Sequence, residues 1–578
     1  MRGSLFTRLQ PFKYTNRSIP LCPNLLLFRT AYFLRSMHSQ VNSSIVLDER
    51  EETIKKLLVN FCDEYNSYVP DADKLELRIT GGWVRDKLLG KESHDLDIAV
   101  NVLSGEEFAS KLLEYTEKKG IKLGANSTSL HTIKKNPEKS KHLETCTARL
   151  FGLDVDFVNL RSEQYTEESR VPIVDCGTAE EDALRRDATL NALFYNLNRN
   201  KVEDFTGRGI EDLKNGLLRT PLQPLKTFVD DPLRVLRLIR FAARFDFVIE
   251  PATLSAMKDS HIRSALVHKI SRERVGVETD KILTGNNVSY GLRLLNHVGF
   301  SESIFNPGVL VSTVNELNDK DLCEQIRHFD KKVSSRIDAA TQHMRSFTNS
   351  VKSANDIPLL QAIWQVVSQD TAATKALWLC VILEPYSEIN VRLNPRKKSL
   401  THYPEVILKE GLRFGKADYD TVSNILKNTS GFTTFDRYFE NPSQITRSDL
   451  GLYIRQYGDH FPLSVAFGAF SDYLKGVETE NRTAEVPTPD GLHLPFNETT
   501  FHEIAFQYES LLETIKSEGL EKAADLKPVV DGKMISKALN KKPGPWMKDV
   551  THEVVRWQLD HPHGNAEECI EHLRSVLN

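Results

Sequence analysis

The chain has 578 residues and a formal charge of −4, with 40% hydrophobic and 27% charged positions. That length exceeds what one compact core organises, and the balance excludes a disordered or fibrous polypeptide, so several folded domains are expected. No global positive field marks a nucleic-acid partner, which leaves a local basic stripe as the electrostatic route to one; no apolar run is long enough to span a bilayer.

Residues 1–47 carry Arg2, Arg8, Lys13, Arg17, Arg29 and Arg35 among several Ser and Thr, and the first acid is Asp48. A basic, acid-free leader is the pattern of a mitochondrial transit peptide; a disordered basic tail is the other reading. Met37 stands just ahead of the first acids. A start there would give a leaderless product, so the expected locations are the mitochondrion and, through that product, the cytoplasm and nucleus. The seven cysteines, at 22, 62, 146, 176, 323, 380 and 569, form no CxxC pair. They suit reduced thiols better than a disulfide frame or a zinc site.

From 51 to 210 the pattern is mixed. EETIKKLLVNFCDEY has helical spacing, while LELRIT, LDIAV and LDVDFVNLR read as short strands. The polar, lysine-rich stretch 120–141 reads as a loop. After about 225 strand signals nearly vanish, and runs such as DPLRVLRLIRFAARF, LLQAIWQVVSQDTAATKALWLCVIL and NAEECIEHLRSVL are helical.

The stretch LRITGGWVRDKLLGKESHDLDIAV at 77–100 carries the first chemistry. Alternate side chains of a strand share a face, so Asp95 and Asp97 project together while Leu96 and Ile98 pack inward. Two such carboxylates repel unless a cation lies between them, and Mg²⁺ takes oxygen ligands together with substrate phosphates. Upstream, Gly81 and Gly82 end an apolar run and open a helix, offering N–H groups to an anion, with Arg85 as a fork of further donors. A solvated strand edge after a plain turn is the alternative, but the combination favours nucleotidyl transfer. Asp156, sharing a face with Asp154, is a candidate third carboxylate, as metal ligand or general base.

In FVDDPLRVLRLIRFAARF, Asp231 and Pro232 start a helix on which Arg234, Arg237, Arg240 and Arg244 span an arc of about 120°. Four arginines on one side with no acid beyond the cap call for an anionic partner, triphosphate or RNA backbone. Asp231 and Arg234 are surface neighbours. They can match the polar edge of a nucleobase, or simply form a cap bonded to its i+3 neighbour.

In order along the chain, the stretch at 77–100, RRDATLN at 185–191, DFTGRGIEDL at 204–213, DDPLRVLR at 230–237 and RERVGVETDKIL at 272–283 resemble the five motifs of the class II tRNA nucleotidyltransferases. These are the CCA-adding enzymes, and the fungal form is the most similar. The resemblance implies a polymerase-beta-like α/β head (48–222) followed by an all-α neck (223–300), body (301–420) and tail (421–578). It implies two Mg²⁺ on Asp95 and Asp97, nucleotide phosphates at Gly81, Gly82 and Arg85, and ribose and triphosphate at Arg185, Arg186, Asp187 and Asn191. Asp231 and Arg234 would read CTP and then ATP, with Arg237 and Arg240 on the phosphates. Asp204, Gly207 and Asp212 would couple head and neck, and Arg274, Glu278 and Lys281 would brace the neck. The implied activity is template-independent addition of CCA to the 3′ end of tRNA; the sequence leaves the oligomeric state open, with a monomer favoured. Relatives that add only CC or only A, poly(A) polymerases and a non-catalytic tRNA-binding protein are the alternatives.

Two departures from the family pattern stand out. The fourth motif begins with Asp230 where Glu is usual, and the loop element usually written Lys-His-Gly-Thr reads KHLETCT at 141–147. That loop is associated with the change from C to A addition. In the tail, KKPGPW at 541–546 reads either as a tRNA grip, by phosphate and stacking contacts, or as a helix-start turn with Trp546 in a core. The RNA-contacting residues are not otherwise assigned.

Overall fold

The structure is a computed structural model. It describes residues 41–42, 44–93, 95–123, 131–133, 145–166, 169–307, 320–393, 399–428, 438–439, 441, 444–477, 486–490 and 496–577. The basic leader with Met37, most of 120–141 and the first half of KHLETCT lie outside the described residues.

Helix α1 (Glu49–Asn66) starts at a capping box in which Asp48 accepts from Glu51 N and the Glu51 carboxylate accepts from Asp48 N. Its Ile54, Leu57, Leu58 and Phe61 recur at helical spacing and are buried. Strand β1 (Leu77–Thr80) runs into α2 (Gly82–Leu88), then β2 (Leu96–Val100) and α3 (Gly105–Lys119). Strands β3 (His131–Ile133), β4 (Thr145–Leu150) and β5 (Leu153–Asn159) come next; the end of KHLETCT is therefore β4. After them stand β6 (Arg161–Thr166), β7 (Ser169–Cys176), α4 (Ala179–Leu184), β8 (Leu193–Asn196) and β9 (Lys201–Asp204).

Seven strands form one mixed sheet in the order β3-β4-β5-β2-β1-β8-β9. Among the described residues of this sheet, β2 and β5 pair in parallel and the other neighbours antiparallel. That pairing sets Asp97 beside Asp156 and Ile98 beside Phe157, so the period-2 alternation of both strands puts apolar residues on one face and carboxylates on the other. Leu96, Ile98 and Val100 join the main core with Phe108 of α3, whereas Ala99, Phe194 and Ala183 make a small cluster on the second face. β6 and β7 form a separate hairpin.

Beyond the sheet the chain is helical: α5 (Gly209–Asn215), α6 (Pro224–Asp230), α7 (Leu233–Phe245), α8 (Pro251–Met257), α9 (Ser260–Lys269), α10 (Arg272–Leu283) and α11 (Val288–His297). Strand does not vanish entirely, since residues 217–218 pair with 248–249 and 390–391 with 401–402. The long apolar run is two helices, Pro358–Gln369 and Thr371–Leu383, bent by 103° where Asp370 caps the second. No single helix among the described residues is long and apolar enough to cross a membrane. Cys62, Cys146, Cys380 and Cys569 are buried and Cys176 is exposed, and none of these five is in a disulfide.

Two close approaches fix α10 to chain segments well beyond it in sequence. Arg272 donates to the carbonyls of Gly411 (2.6 Å), Ser303 (3.0 Å), Ile304 (2.7 Å) and Asn306 (3.3 Å). Gly276 lies so near Leu412 that a Cβ there would meet its carbonyl oxygen at 1.8 Å. At the far end Val530, Ile535, Val554, Trp557, Cys569 and Leu573 make a core of their own, with Trp546 packed against it. The Trp546 indole N–H donates to the Lys542 carbonyl, so its ring serves the helix-start turn, while Lys533, Lys537, Lys541 and Lys542 line a groove beside it.

Candidate active site

A cavity of about 740 Å³ lies between the carboxylate face of the sheet and α7. Every residue singled out from the sequence as catalytic, metal-binding or nucleotide-binding reaches it: Gly81, Gly82, Arg85, Asp95, Asp97, Asp156, Arg185, Arg186, Asp187, Asn191, Asp231, Arg234, Arg237 and Arg240.

The acid edge is built by β2 and β5. Asp97 is within β2 and half-buried, whereas Asp95 stands one residue ahead of the strand and is exposed. Burial, then the charges of Asp95 and Asp156, push the Asp97 carboxyl up to about 6. Asp156 accepts a hydrogen bond from the Thr147 hydroxyl on β4. Among the described residues no three His, Cys, Asp or Glu side chains form a complete cation cage. Mg²⁺ does not require one, because it keeps water and phosphate oxygens around one or two carboxylates. Oxygen donors crowded into mutual repulsion fit a hard divalent cation.

The glycine corner does more than turn the chain. Gly81 adopts φ +77°, the left-handed region that favours glycine. A Cβ there would meet Arg186 Nη1 at 3.4 Å, and one on Gly82 would meet Arg85 Nη2 at 3.1 Å. Bare backbone therefore lets two guanidiniums close on the turn. Arg85 is buried, donating to Asp86 (2.8 Å) and Asn191 (2.5 Å) and stacking on Phe245 at 4.7 Å. It joins the corner to α7 as well as facing the cavity.

Arg185 and Arg186 share one acid that sequence reasoning missed. Asp182 accepts from Arg185 Nη2 at 2.5 Å and from Arg186 Nη2 at 2.6 Å. Burial opposes its charge, but Arg186 and Arg185 prevail and hold its carboxyl at about 2. The i,i+3 and i,i+4 spacing from Asp182 across the end of α4 was the available signal. Arg186 also donates to the Asn191 carbonyl and the Thr80 hydroxyl. Asp187 accepts from Asn191 (3.0 Å) and Arg237 (2.6 Å); against the penalty of burial, these keep its carboxyl well below the usual range.

The stripe on α7 finds part of its anionic partner inside the chain. Arg237 pairs with Asp187, Arg240 with Glu278 at 2.6 Å, Arg244 with Asp86 at 3.8 Å and Arg234 with Glu163 at 3.7 Å. Asp231 is not on the helix but just before it; one oxygen accepts from Leu233 N and the other from Arg274 at 3.3 Å. Glu278 and Arg274 of α10 thus brace α7, whereas Lys281 is exposed. Asp204 and Gly207 build the turn that opens α5, and Asp212 ties Thr189 to Arg219. Arg161 was also missed: its buried Nε, beside the cavity, has no hydrogen-bond partner.

The family model for the poly(A) polymerase head domain matches residues 77–219, and that for a probable RNA- and SrmB-binding site of polymerase A matches 246–311. The mitochondrial CCA tRNA nucleotidyltransferase of Saccharomyces cerevisiae is 42% identical, covering 93% of this chain and 96% of its own. Its namesake from Candida glabrata is 41% identical, over 92% and 96%. Among solved structures, an apo form of a CCA-adding enzyme has the same fold with a TM-score of 0.56 at 19% identity, covering 95% of this chain and 98% of that one. A CCA-adding enzyme in complex with ATP gives 0.54 at 20% identity, over 92% and 95%. With an acid edge, a glycine corner and an arginine wall around one cavity, and end-to-end likeness to these fungal enzymes, the chain belongs to the CCA tRNA nucleotidyltransferase family.

Proposed function

We propose that this protein builds the CCA end of tRNA without a nucleic-acid template, adding C twice from CTP and A once from ATP. The observation that carries the reading is the convergence of Asp95, Asp97 and Asp156 with Arg185 and Arg186, just past α4, and the arginines of α7 in one cavity.

In each cycle the RNA 3′-oxygen forms a bond to the α-phosphorus of the nucleotide while the bond to the bridging oxygen breaks, releasing pyrophosphate. Asp95 and Asp97 would hold Mg²⁺, two ions on the family pattern, which when bound supply electrostatic stabilisation to the attacking and leaving oxygens. Asp156, in register with Asp97, either completes that ligand set or takes the proton of the attacking hydroxyl. Arg185, Arg186, Arg237 and Arg240 offer planar donor forks to the triphosphate. Asp231 presents acceptors and Arg234 donors to the base edge, the chemistry by which side chains read bases elsewhere.

A partner that must include every tRNA is recognised by shape and backbone rather than sequence. The tail lysines beside KKPGPW suit that role. The division into head, neck, body and tail is taken as 48–222, 223–300, 301–420 and 421–578, and the protein as a monomer. The names of the fungal relatives and the basic leader support a mitochondrial location. Translation from Met37 would supply cytoplasm and nucleus.

The test is incubation with tRNA lacking its end, resolved to single nucleotides. CTP alone should give CC, and CTP with ATP should give CCA. Products stopping at CC, lone A on a CC-ended tRNA, or long A tails would each replace this reading by a related one. RNA binding with no extension would leave a binding protein. Asp95→Ala and Asp97→Ala should abolish extension.

A further inference from the structure

The base-reading pair does not stand alone in the cavity. Arg234 is buried, and its Nη1 reaches the Thr227 carbonyl at 3.4 Å while Nη2 faces Glu163 Oε2 at 3.7 Å. Glu163 does not come from the neck at all. It sits on β6, in the hairpin that follows the carboxylate strand, and its side chain is 8% exposed. Its other oxygen, Oε1, accepts from Arg185 Nη1 at 2.8 Å. One carboxylate therefore spans an arginine of the head and the reader arginine of the neck.

Other acids surround Arg234 as well. Asp230 and Asp187 also feel its charge. Asp230 ends α6, and Asp187 is already bonded to Asn191 and Arg237. Glu163 lies at ion-pair distance from a guanidinium nitrogen of Arg234, and it approaches from the sheet side. A guanidinium is a rigid planar fork, so holding one nitrogen by Glu163 and another by the Thr227 carbonyl fixes the plane in which the remaining donors lie. A base edge is distinguished by the placement of donors against acceptors, and a shift of about 1 Å in such a group costs up to ~100-fold in a positioned reaction.

We propose that Glu163 is a positioning residue for nucleotide choice: bridging Arg185 and Arg234, it sets the plane of the reader guanidinium and couples base reading to the grip of the head on the nucleotide. This rests on the reading of Arg234 as a base reader. When the triphosphate engages Arg185, the shared carboxylate registers it, and the orientation of Arg234 follows.

The test compares kcat/KM for CTP against UTP on tRNA lacking its end, and for ATP against GTP on tRNA ending in CC. The full-length wild type, Glu163→Ala, Glu163→Gln, Arg234→Ala and the double variant are assayed. Both nucleotides of a ratio are assayed on the same preparation, so a reduced folded fraction cancels. Glu163→Ala should lower both ratios about tenfold, with Glu163→Gln recovering part of the loss through its amide oxygen. In the Arg234→Ala background, Glu163→Ala should add nothing, because the two act as one unit. If Arg234→Ala loses discrimination and Glu163→Ala keeps it, the proposal falls and the base-reader reading stands. If Arg234→Ala keeps full discrimination, both fall, whatever Glu163→Ala does. Equal losses of rate with right and wrong nucleotides in Glu163→Ala would make it a structural residue only, and overturn the proposal.

Discussion

Gly276→Ala adds one methyl group at the joint between α10 and the segment ending at Leu412. The new Cβ would sit 1.8 Å from the Leu412 carbonyl oxygen and 2.8 Å from its carbon, both backbone atoms that cannot rotate away. Reaching an ordinary contact requires α10 to recede by about 1.6 Å. Overpacking of this kind costs about 1–3 kcal/mol, and alanine returns roughly 1 kcal/mol of helix propensity, so the net loss lies within about 0–2 kcal/mol, and the rigidity of both backbones places it in the upper half. The function should suffer more than the stability. α10 carries Arg274 on Asp231 and Glu278 on Arg240, so its displacement moves the wall of the cavity. Urea unfolding should show a lowered midpoint with an unchanged slope, and nucleotide addition, assayed well below the unfolding midpoint, should fall by about 10- to 100-fold. An alanine variant with wild-type midpoint and rate would refute the claim that this approach of backbones holds α10 in register.

Three further outcomes are expected from the same geometry. Asp182→Asn should cost about 2 kcal/mol at neutral pH: the folded carboxyl sits at about 2 against an ordinary value of 3.8, so its contribution is present above pH 4 and fades as pH falls toward 2, as urea unfolding across that range would show; the same variant should raise the KM for nucleotides. Asp97→Asn should abolish addition yet stabilise the metal-free protein by about 3 kcal/mol at pH 7. Its carboxyl is raised to about 6, so ionising it between pH 4 and 6 destabilises the fold, and thermal unfolding in chelator should show the variant ahead of wild type only above that window. Arg272→Ala should lower stability by about 3 kcal/mol, because four backbone carbonyls lose a charged donor; a melting temperature within a degree of wild type would refute it.

Signals legible in the sequence were local ones. A glycine pair after an apolar run, two acids one residue apart and arginines at helical spacing each report on neighbours within a turn or a strand, and the structure places them around one cavity. Four-residue strands such as β8 and β9 are too short to show alternation and owe their state to the strands beside them. What pairs with what was also hidden. Glu163 meets Arg234 across 71 positions of sequence, and Arg272 meets Gly411 across 139; no periodicity encodes such meetings. By sequence the arginine stripe wants an external anion, because acids contributed by distant elements are invisible along the helix. Asp182 alone among the missed residues had a local signature.

The cavity holds nine arginines and seven acids, so its electrical balance is close to even despite its density of charge. A bare polyphosphate entering it would meet the repulsion of Asp95, Asp97 and Asp156 as well as the attraction of the opposite wall. Simple anions such as inorganic phosphate are therefore expected to compete poorly with nucleotide. A ligand that arrives as a salt with its own divalent counter-ion satisfies both walls at once, and the pocket is built to admit that pairing rather than charge in general.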